Sequence, residues 1–349
     1  MCRSFITLLT MKSAHSQLVN QSQLASKPKQ YDEVLSYLKL ESIYYSRSLF
    51  RGEQWAVKVP TYQATSMFHV IVAGRCLVKV NDTLLELNVG DVLFLPRSPG
   101  HQVMASESVK AVDLYSLPVK KVSDLFETLE VGPEPLESRT EQQSGSEQDR
   151  QTIMLCGVVK IAHPSGEMLV NDMPDVIHVQ KEQHLFNTMM DGIVDLIFQE
   201  AEGGFLGGES VITRLVDILM IQTIRQWVLS SEVHHGQWLN ALKDPKIGKA
   251  LSEIHNHPEK AWTIELLGQE VGMSRTAFAT KFSELVGDTP MNYLTLWRMN
   301  LAELRLKSGE KPNLEFIESL GYQSESSFRR AFKKCKGYTL SEIPENTKS

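Results

Sequence analysis

A weak repeat at an offset of fifty residues near the C-terminus is the feature that most constrains this 349-residue chain. Residues of the same kind recur in the same order: Thr263, Ser274, Phe278, Phe282 and Gly287 in the first copy, and Asn313, Ser324, Phe328, Phe332 and Gly337 in the second. Each copy predicts a short capped helix, a turn that contains glycine, and a second capped helix. This succession is the helix-turn-helix arrangement.

The helix starts in each copy are marked by residues that cap helices. Thr263 and Asn313 are predicted N-caps of the first helices, because their side chains can accept hydrogen bonds from backbone N–H groups that a helix start leaves free. Ser274 and Ser324 are predicted N-caps of the second helices for the same reason. The capping pattern therefore predicts helix-turn-helix units over residues 263–285 and 313–336.

Glycines and aromatic pairs complete each unit. The first helix is predicted to end near Gly272 in one copy and near Gly321 in the other, since glycine tolerates the positive φ of a C-cap. Phe278 and Phe282 are four residues apart and share one face, which is predicted to pack on the core. The same spacing recurs in the second copy, so the opposite face of each second helix is predicted to be free.

That free face is basic in the second copy, where arginines and lysines oppose one acid, Glu325. Arginine can bond guanine with two hydrogen bonds, and lysines and hydroxyls suit phosphates, so the pattern predicts DNA binding. A surface helix that is merely solvated is the alternative interpretation. The predicted DNA-binding residues are Ser274, Arg275, Thr276, Ala279, Thr280, Lys281, Ser283, Arg298, Ser324, Glu325, Ser326, Arg329, Arg330, Lys333 and Lys334.

Residues 263–343 resemble the DNA-binding domain of AraC-type transcriptional regulators. The resemblance rests on the segments Gly287–Met299 and Gly321–Gly337. It implies a connecting helix from Pro290 to about Lys307. It also implies that the base-facing positions are Thr276, Ala279, Thr280 and Ser283 in the first recognition helix, and Glu325, Ser326, Arg329 and Arg330 in the second.

Arg298 lies on the connecting helix. Two roles are open from the sequence: contact with a DNA phosphate, or pairing with Glu303 or another neighbouring acid.

Length and charge predict a second domain that does not touch DNA. A chain of 349 residues exceeds one average core. Residues 241–349 carry two more basic than acidic side chains, whereas residues 1–240 carry eight more acidic than basic, which together give the net charge of −6. The absence of a long apolar run and of a cysteine framework predicts a cytoplasmic location without membrane contact.

The N-terminal half is predicted to be mostly β. Strands are expected at Gln54–Val59, Phe68–Val72, Arg75–Val80, Val92–Leu95, Thr152–Ile161 and near Val176–Val179. The run Gly90–His101 is similar to the second motif of cupin barrels, and the arrangement resembles the cupin sensor domain fused to AraC-type domains. The resemblance implies a cupin-like sensor over residues 31–185 with a mobile loop at 133–151, after a poorly ordered extension at 1–30.

Five residues are candidates for chemistry in this domain. His69 and His101 are predicted ligand-pocket residues, and Glu86 would be the third group if they held a metal; no His-x-His pair is present, and no metal, cofactor or catalytic residue is predicted. A cupin metalloenzyme with an incidental helical tail is the competing hypothesis. Cys76 and Cys156 give a further alternative, a thiol-based redox-responsive regulator.

Helical spacing predicts helices at Leu185–Glu200 and Ser210–Leu229. We expect residues 186–236 to form a dimerisation or linker region, with a joint at Ser230–Gly236, ahead of an AraC-type DNA-binding domain over 237–349. The predicted fold class is α+β: a cupin-like β-barrel, helices, and an all-α double helix-turn-helix domain. The predicted function is a non-enzymatic transcriptional regulator and activator. Its predicted partners are double-stranded DNA, RNA polymerase, a small-molecule effector and a second copy of the chain.

Overall fold

The computed structural model describes residues 40–132, 151–161, 164–181, 187–230 and 237–343. The chain divides into two compact units, one within residues 37–236 and one that contains residues 237–349. The predicted extension at 1–30, the predicted loop at 133–151 except its last residue, and residues 231–236 of the predicted joint lie outside the described residues.

In the described part of the first unit, the strands form two β-sheets. In chain order the strands are β1 (Leu40–Arg51), β2 (Ala56–Val59), β3 (Ser66–Ala73), β4 (Arg75–Val80), β5 (Thr83–Asn88), β6 (Val92–Leu95), β7 (His101–Met104), β8 (Val112–Asp113), β9 (Val119–Lys121), β10 (Phe126–Val131), β11 (Gln151–Ile161) and β12 (Ile177–Val179). Among the described residues, one sheet has the order β12-β6-β3-β11-β1-β10-β9 and the other the order β5-β4-β7-β2-β8.

A shared apolar core joins the two sheets. Met67 and Met154 from the first sheet belong to the same buried cluster as Val78 and Val103 from the second. Alternate side chains of each strand point inward, as the period of two requires. Burial of this cluster is what makes the two sheets one cupin-type unit rather than two separate sheets.

Tight turns connect the strands where the sequence predicts them. Gly74 has a φ of +71°, and a Cβ there would lie 2.1 Å from the carbonyl oxygen of Gln151. Asn81 also takes a positive φ, of 51°, at the β4–β5 hairpin. These residue types are the ones that adopt left-handed backbone at low cost.

The strands predicted from sequence are present, with ends that differ by up to two residues. The sequence analysis missed β1, β5, β7, β8, β9 and β10. The longest of these, β1, has polar residues among its inward positions, such as the buried Ser48. The hydrophobic alternation on which strand prediction depends is therefore weak there.

Three helices follow or interrupt the sheets: α1 (Pro164–Asp172), α2 (Asn187–Gly203) and α3 (Gly208–Ser230). The helices α2 and α3 are the pair predicted at Leu185–Glu200 and Ser210–Leu229, and they pack on each other. No helix in the described part of the chain is long and apolar enough to cross a membrane.

The second unit is helical throughout its regular structure. Its helices are α4 (Gln237–Lys243), α5 (Pro245–Asn256), α6 (Ile264–Glu270), α7 (Arg275–Val286), α8 (Pro290–Lys307), α9 (Leu314–Glu318) and α10 (Glu325–Lys336), followed by a short 3₁₀ helix at Leu340–Glu342. The connecting helix α8 has the bounds expected from the sequence. The predicted α+β fold class is confirmed.

All four predicted N-caps are formed. The side chains of Thr263 and Asn313 accept hydrogen bonds from the backbone of α6 and α9, and those of Ser274 and Ser324 do so for α7 and α10. The two recognition helices also end alike, because the C-cap glycines that follow α7 and α10 both have a φ of +82°. The sequence repeat is therefore a repeat of backbone geometry.

Gly321 should tolerate a side chain much less well than Gly272. Both glycines have positive φ, but a Cβ at Gly272 meets open space, whereas one at Gly321 would lie 2.4 Å from Nη2 of Arg298 and 2.9 Å from the carbonyl oxygen of Glu259. We expect Gly272→Ala to lower the free energy of unfolding by about 1–2 kcal/mol, the cost of left-handed backbone, and Gly321→Ala to lower it further. Urea unfolding of the two variants checks this; equal losses would contradict it.

Candidate functional site

The helix α10 presents a basic face to solvent. Phe328 and Phe332 are fully buried and hold the opposite side of the helix against a core that includes Phe316. The exposed side chains are Glu325, Ser326, Ser327, Arg329, Arg330, Lys333 and Lys334. Every residue that the sequence analysis assigned to DNA contact on this helix is therefore on its accessible side.

The cations on this face of α10 differ in their surroundings. Arg329 donates to Glu325 one turn earlier, at 2.6 Å, and such exposed i,i+4 pairs are worth only a few tenths of a kcal/mol. Arg330, Lys333 and Lys334 border a groove of about 480 Å³, together with Arg329 and residues of the following 3₁₀ segment. A groove lined by four cations suits the phosphates of a nucleic acid backbone.

Lys336 lies on the same helix, but its side chain contacts residues of α8. Its ammonium group donates to Asn300 at 2.7 Å and pairs with Glu303 of α8. Burial raises the pKa of Glu303, but hydrogen bonds from Lys307, Lys336 and Tyr338 outweigh that effect and bring the pKa to about 2. These contacts fasten α10 to α8, and they give Glu303 lysine partners rather than the arginine considered from sequence.

The helix α7 has a milder surface. Phe278 and Phe282 are fully buried, and Tyr293 of α8 packs edge-on against Phe282 with ring centroids 5.7 Å apart. Thr276 and Thr280 are exposed. Among the other predicted contact residues of this copy, Ser274 and Arg275 are exposed and Ala279, Lys281 and Ser283 are half-buried.

Two cations of α7 have partners within the unit. Arg275 pairs with Glu265 of α6 at 2.8 Å. Lys281 pairs with Asp244 at 2.5 Å, and that carboxylate also caps α5 by accepting from the backbone N–H of Lys246. DNA contact by either cation remains a prediction, and it would compete with these ion pairs.

The side chain of Arg298 is half-buried and is hydrogen-bonded within the protein. Its guanidinium donates from Nε to the carbonyl oxygen of Pro258 at 2.6 Å and from Nη2 to that of Lys260 at 2.8 Å. The same group lies 5.7 Å from the ring centroid of Tyr322, in the turn before α10. It therefore joins the segment before the first helix-turn-helix to the turn of the second, and the predicted phosphate contact would require it to leave both carbonyls.

The first unit contains a cavity of about 600 Å³ between its sheets. Its walls are mainly apolar, with Met67, Val103, Leu129 and Met154 among them. Polar groups that line it include Tyr44, Tyr62, Tyr115, Ser46, Ser48, His69 and Cys156. A volume of this size suits a drug-sized molecule.

His69 and His101, far apart in sequence, are adjacent in the structure. Both are 3% exposed, and their Nε2 atoms are 2.8 Å apart. Nδ1 of His101 lies 2.9 Å from the carbonyl oxygen of Pro99. Nδ1 of His69 lies 3.0 Å from Sγ of Cys156, which is directly opposite it across the β3–β11 pair.

The proton positions along the hydrogen bonds from Pro99 to Cys156 follow from the carbonyl oxygen of Pro99, which can only accept a hydrogen bond. Because the carbonyl oxygen of Pro99 accepts, Nδ1 of His101 must carry a proton. Burial lowers the pKa of both imidazoles, with the neighbouring His101 a further cause for His69, so each neutral ring has one donor and one acceptor. Nε2–H of His69 then donates to His101, and the thiol of Cys156 donates to Nδ1 of His69.

The described residues do not assemble the metal ligand set considered from sequence, and the redox role of Cys76 and Cys156 stays a prediction. Glu86 is exposed and pairs with Arg75 at 3.0 Å, and the described residues hold no group of three His, Cys, Asp or Glu side chains placed for a metal. Cys76 is buried beside Met154, with its Sγ 4.0 Å from the thioether sulfur, and burial raises the pKa of its thiol. Burial also raises the pKa of Cys156, to about 12.

The tyrosines of the cavity were missed by the sequence analysis. Tyr115 donates to the Tyr62 hydroxyl at 3.3 Å, and the rings of Tyr44 and Tyr62 meet edge-on with centroids 6.4 Å apart. They come from β1, from the β2–β3 connection and from the 3₁₀ turn after β8, so no spacing in the sequence links them.

Comparisons with known proteins cover both units. Residues 32–229 match the Cupin family and residues 267–346 match a helix-turn-helix domain family. An uncharacterized HTH-type transcriptional regulator of Haemophilus influenzae is 29% identical over 82% of this chain and 88% of its own length. A protein of Streptomyces antibioticus described as an AraC-like transcription regulator is 29% identical over 88% and 95%. The HTH-type transcriptional regulator AlkR of Acinetobacter baylyi is 27% identical over 80% and 88%.

Loss of the Arg298 guanidinium should destabilise the second unit. We expect Arg298→Ala to lower the free energy of unfolding by about 1.5–3 kcal/mol, because it leaves two carbonyl acceptors without a charged donor. Arg275→Ala is the matched control, since it removes an exposed ion pair worth at most about 1 kcal/mol. Urea unfolding of the full chain, followed by circular dichroism, compares them; a loss no larger in Arg298→Ala than in the control would contradict the structural role.

The reactivity of Cys156 should have the pH dependence of a buried thiol. A thiol with a pKa of about 12 has very little thiolate near neutrality, so its alkylation rate should rise about tenfold per pH unit from pH 7 to 10. An ordinary cysteine would level off above its pKa of about 8.5. Iodoacetamide labelling followed by peptide mass spectrometry, with Cys156→Ser to assign the peptide, measures this. A plateau below pH 9 would revive the redox hypothesis.

Proposed function

This chain belongs to the AraC-type transcriptional regulators with an N-terminal cupin domain, and we propose that it reads two adjacent major-groove segments of one DNA duplex under the control of a small molecule. Its relatives are named as transcriptional regulators rather than enzymes. In this proposal residues 31–185 are the sensor, residues 186–236 connect or dimerise, and residues 237–349 bind DNA in the cytoplasm.

The observation that carries the proposal is the exposed basic face of α10. Its cations project from a helix whose other side is fixed by two buried phenylalanines, so the face keeps one orientation relative to its core. A rigid helix of twelve residues with arginine and lysine on its free side has the size and charge to enter a major groove. In this proposal Arg329 and Arg330 contact base edges, and Lys333 and Lys334 contact phosphates.

Reading of two groove segments is supported by the repeat and its connecting helix. The helix α8 has 18 residues and is therefore about 27 Å long. Consecutive major-groove segments on one face of a duplex are about 34 Å apart. The neutral surface of α7, with Thr276, Ala279, Thr280 and Ser283, makes fewer charged contacts than α10, so we propose that α10 contributes more of the affinity.

Control by a small molecule is supported by the cavity between the sheets of the first unit.

Pairing of two chains is supported by exposed apolar side chains on the helices α2 and α3. Met189, Leu196, Val211 and Ile218 are each about two-fifths exposed on those helices. Burial of these side chains against a second copy would link two DNA-binding units and raise their joint affinity for paired sites. Activation would follow where the bound site lets the protein contact RNA polymerase.

Two substitutions on α10 should have different effects on DNA binding. Arg330→Ala should cost about 1–3 kcal/mol at one base position, because a bidentate base contact is lost there. Lys333→Ala should weaken binding to all sequences alike and lower the slope of log affinity against log salt by about 1. Gel-shift titrations at several salt concentrations, on fragments selected from genomic DNA, measure both.

The matched control is Lys311→Ala, which removes the same charge from an exposed position ahead of α9. It should leave sequence preference intact. If the Arg330→Ala, Lys333→Ala double variant bound the selected fragments as the native chain does, α10 would not be a recognition helix.

A further inference from the structure

The described residues that line the cavity of the first unit include no cation. Among the described residues that line it there is neither lysine nor arginine, while two carboxylates, Asp124 and Glu127, are present. A hydrogen bond from Lys121 at 2.8 Å lowers the pKa of Asp124, so that carboxylate is charged at neutral pH. Asp124 is largely exposed and its carboxylate is paired with Lys121, so the described lining itself supplies no positive charge.

The histidines do not supply the missing positive charge. His69 lines the cavity and His101 lies behind it, and burial lowers the pKa of both. Each ring nitrogen of the pair already faces a partner, from Pro99 at one end to Cys156 at the other. A second proton on His101 would place two N–H donors opposite each other at the two Nε2 atoms. A second proton on His69 would place an N–H donor opposite the thiol proton of Cys156. Both rings therefore stay neutral.

The remaining polar groups are uncharged hydroxyls. Burial raises the pKa of Tyr44 to about 12 and raises that of Tyr62 as well, so both phenols stay protonated. With Tyr115 they form a cluster of hydroxyls that can donate to or accept from a ligand. The opposing walls, with Phe50, Met154 and others, offer only apolar contact.

An anion would be a poor occupant of such a site. It would lose its hydration without gaining a counter-charge from the described lining, and it would approach the carboxylate of Glu127. A permanent cation would also lose hydration against the apolar walls. An uncharged molecule with an apolar body and a hydroxyl, carbonyl or amide group would satisfy both the walls and the tyrosines.

We propose that the controlling molecule is uncharged, with an apolar body and at least one neutral hydrogen-bonding group directed at the Tyr44–Tyr62–Tyr115 cluster. This inference rests on the proposed function only in taking the cavity as the effector site. It narrows the ligand class by charge, and it excludes carboxylates, sulfonates and phosphates.

Two fluorescent probes with one scaffold test the charge preference. N-phenyl-1-naphthylamine is neutral, and 1-anilinonaphthalene-8-sulfonate is the same ring system with a sulfonate. The full chain is titrated with each, and emission that the lining substitution Leu117→Trp removes is assigned to the cavity. We expect the neutral probe to bind there at least about tenfold more tightly than the sulfonate, which corresponds to 1.4 kcal/mol.

A charge reversal in the lining provides a second test that does not depend on filling the cavity. Glu127→Lys should raise the affinity for the sulfonate probe at least about tenfold, because it supplies the missing cation. Glu53→Lys makes the same change of charge at an exposed residue outside the cavity lining and should not. Because both variants keep the basic face of α10, sulfonate bound at that face is the same in the two titrations.

The outcomes separate the ligand class from the regulatory function. Tighter cavity binding of the sulfonate, equal binding of both probes, or binding of neither would each overturn the inference, as would equal effects of the two charge variants. The expected probe preference supports it whether or not the neutral probe alters gel shifts. Unaltered gel shifts across neutral ligands that bind the cavity would count against the proposed control of DNA binding alone.

Discussion

Two buried pairs of phenylalanines are the contacts on which the DNA-binding unit depends. Phe278 and Phe282 in α7, and Phe328 and Phe332 in α10, are each one helical turn apart and fully buried. Because both members of a pair lie on one face, they fix the rotation of the helix about its axis as well as its position. The opposite face then has no freedom to turn inward, and the cations of α10 remain accessible. Capping fixes where these helices begin, but the aromatic pairs decide which side chains are presented to a partner.

The first unit contains polar groups inside an apolar enclosure, and these groups are hydrogen-bonded to one another. Each buried histidine has a partner for both of its nitrogens, so the relay from Pro99 to Cys156 needs no charge and no water. Neutrality of this relay has consequences for the thiol as well. The neutral His69 ring offers Cys156 no positive charge, and burial raises the pKa of the Cys156 thiol to about 12, so it is a weak nucleophile near neutral pH. The uncharged polar groups of the lining are also the basis on which we infer an uncharged ligand.

Arg298 and Glu86 show where reasoning from sequence reached its limit. A single arginine on a connecting helix can face phosphate, a carboxylate or backbone carbonyls, and its spacing in the sequence is the same in all three cases. The structure gives it two carbonyls from a segment about forty residues earlier. Glu86 was considered as a possible third group beside His69 and His101, but it is exposed and pairs with Arg75. The strand β1 was missed because polar inward residues hide its alternation.

Local chemistry in the sequence determined the helix starts, the glycine turns, the bounds of α8 and the faces of α7 and α10, because caps, φ preferences and helical period act within a few residues. The β-rich class of the first unit followed from its β-branched runs and turns for the same reason. Only the tertiary structure decided which distant residues meet: His69 with His101 and Cys156, the three tyrosines with one another, and Arg298 with the carbonyls that hold it. These contacts depend on strand register and helix packing, which are set by the collective burial of a core and not by any short segment of chain.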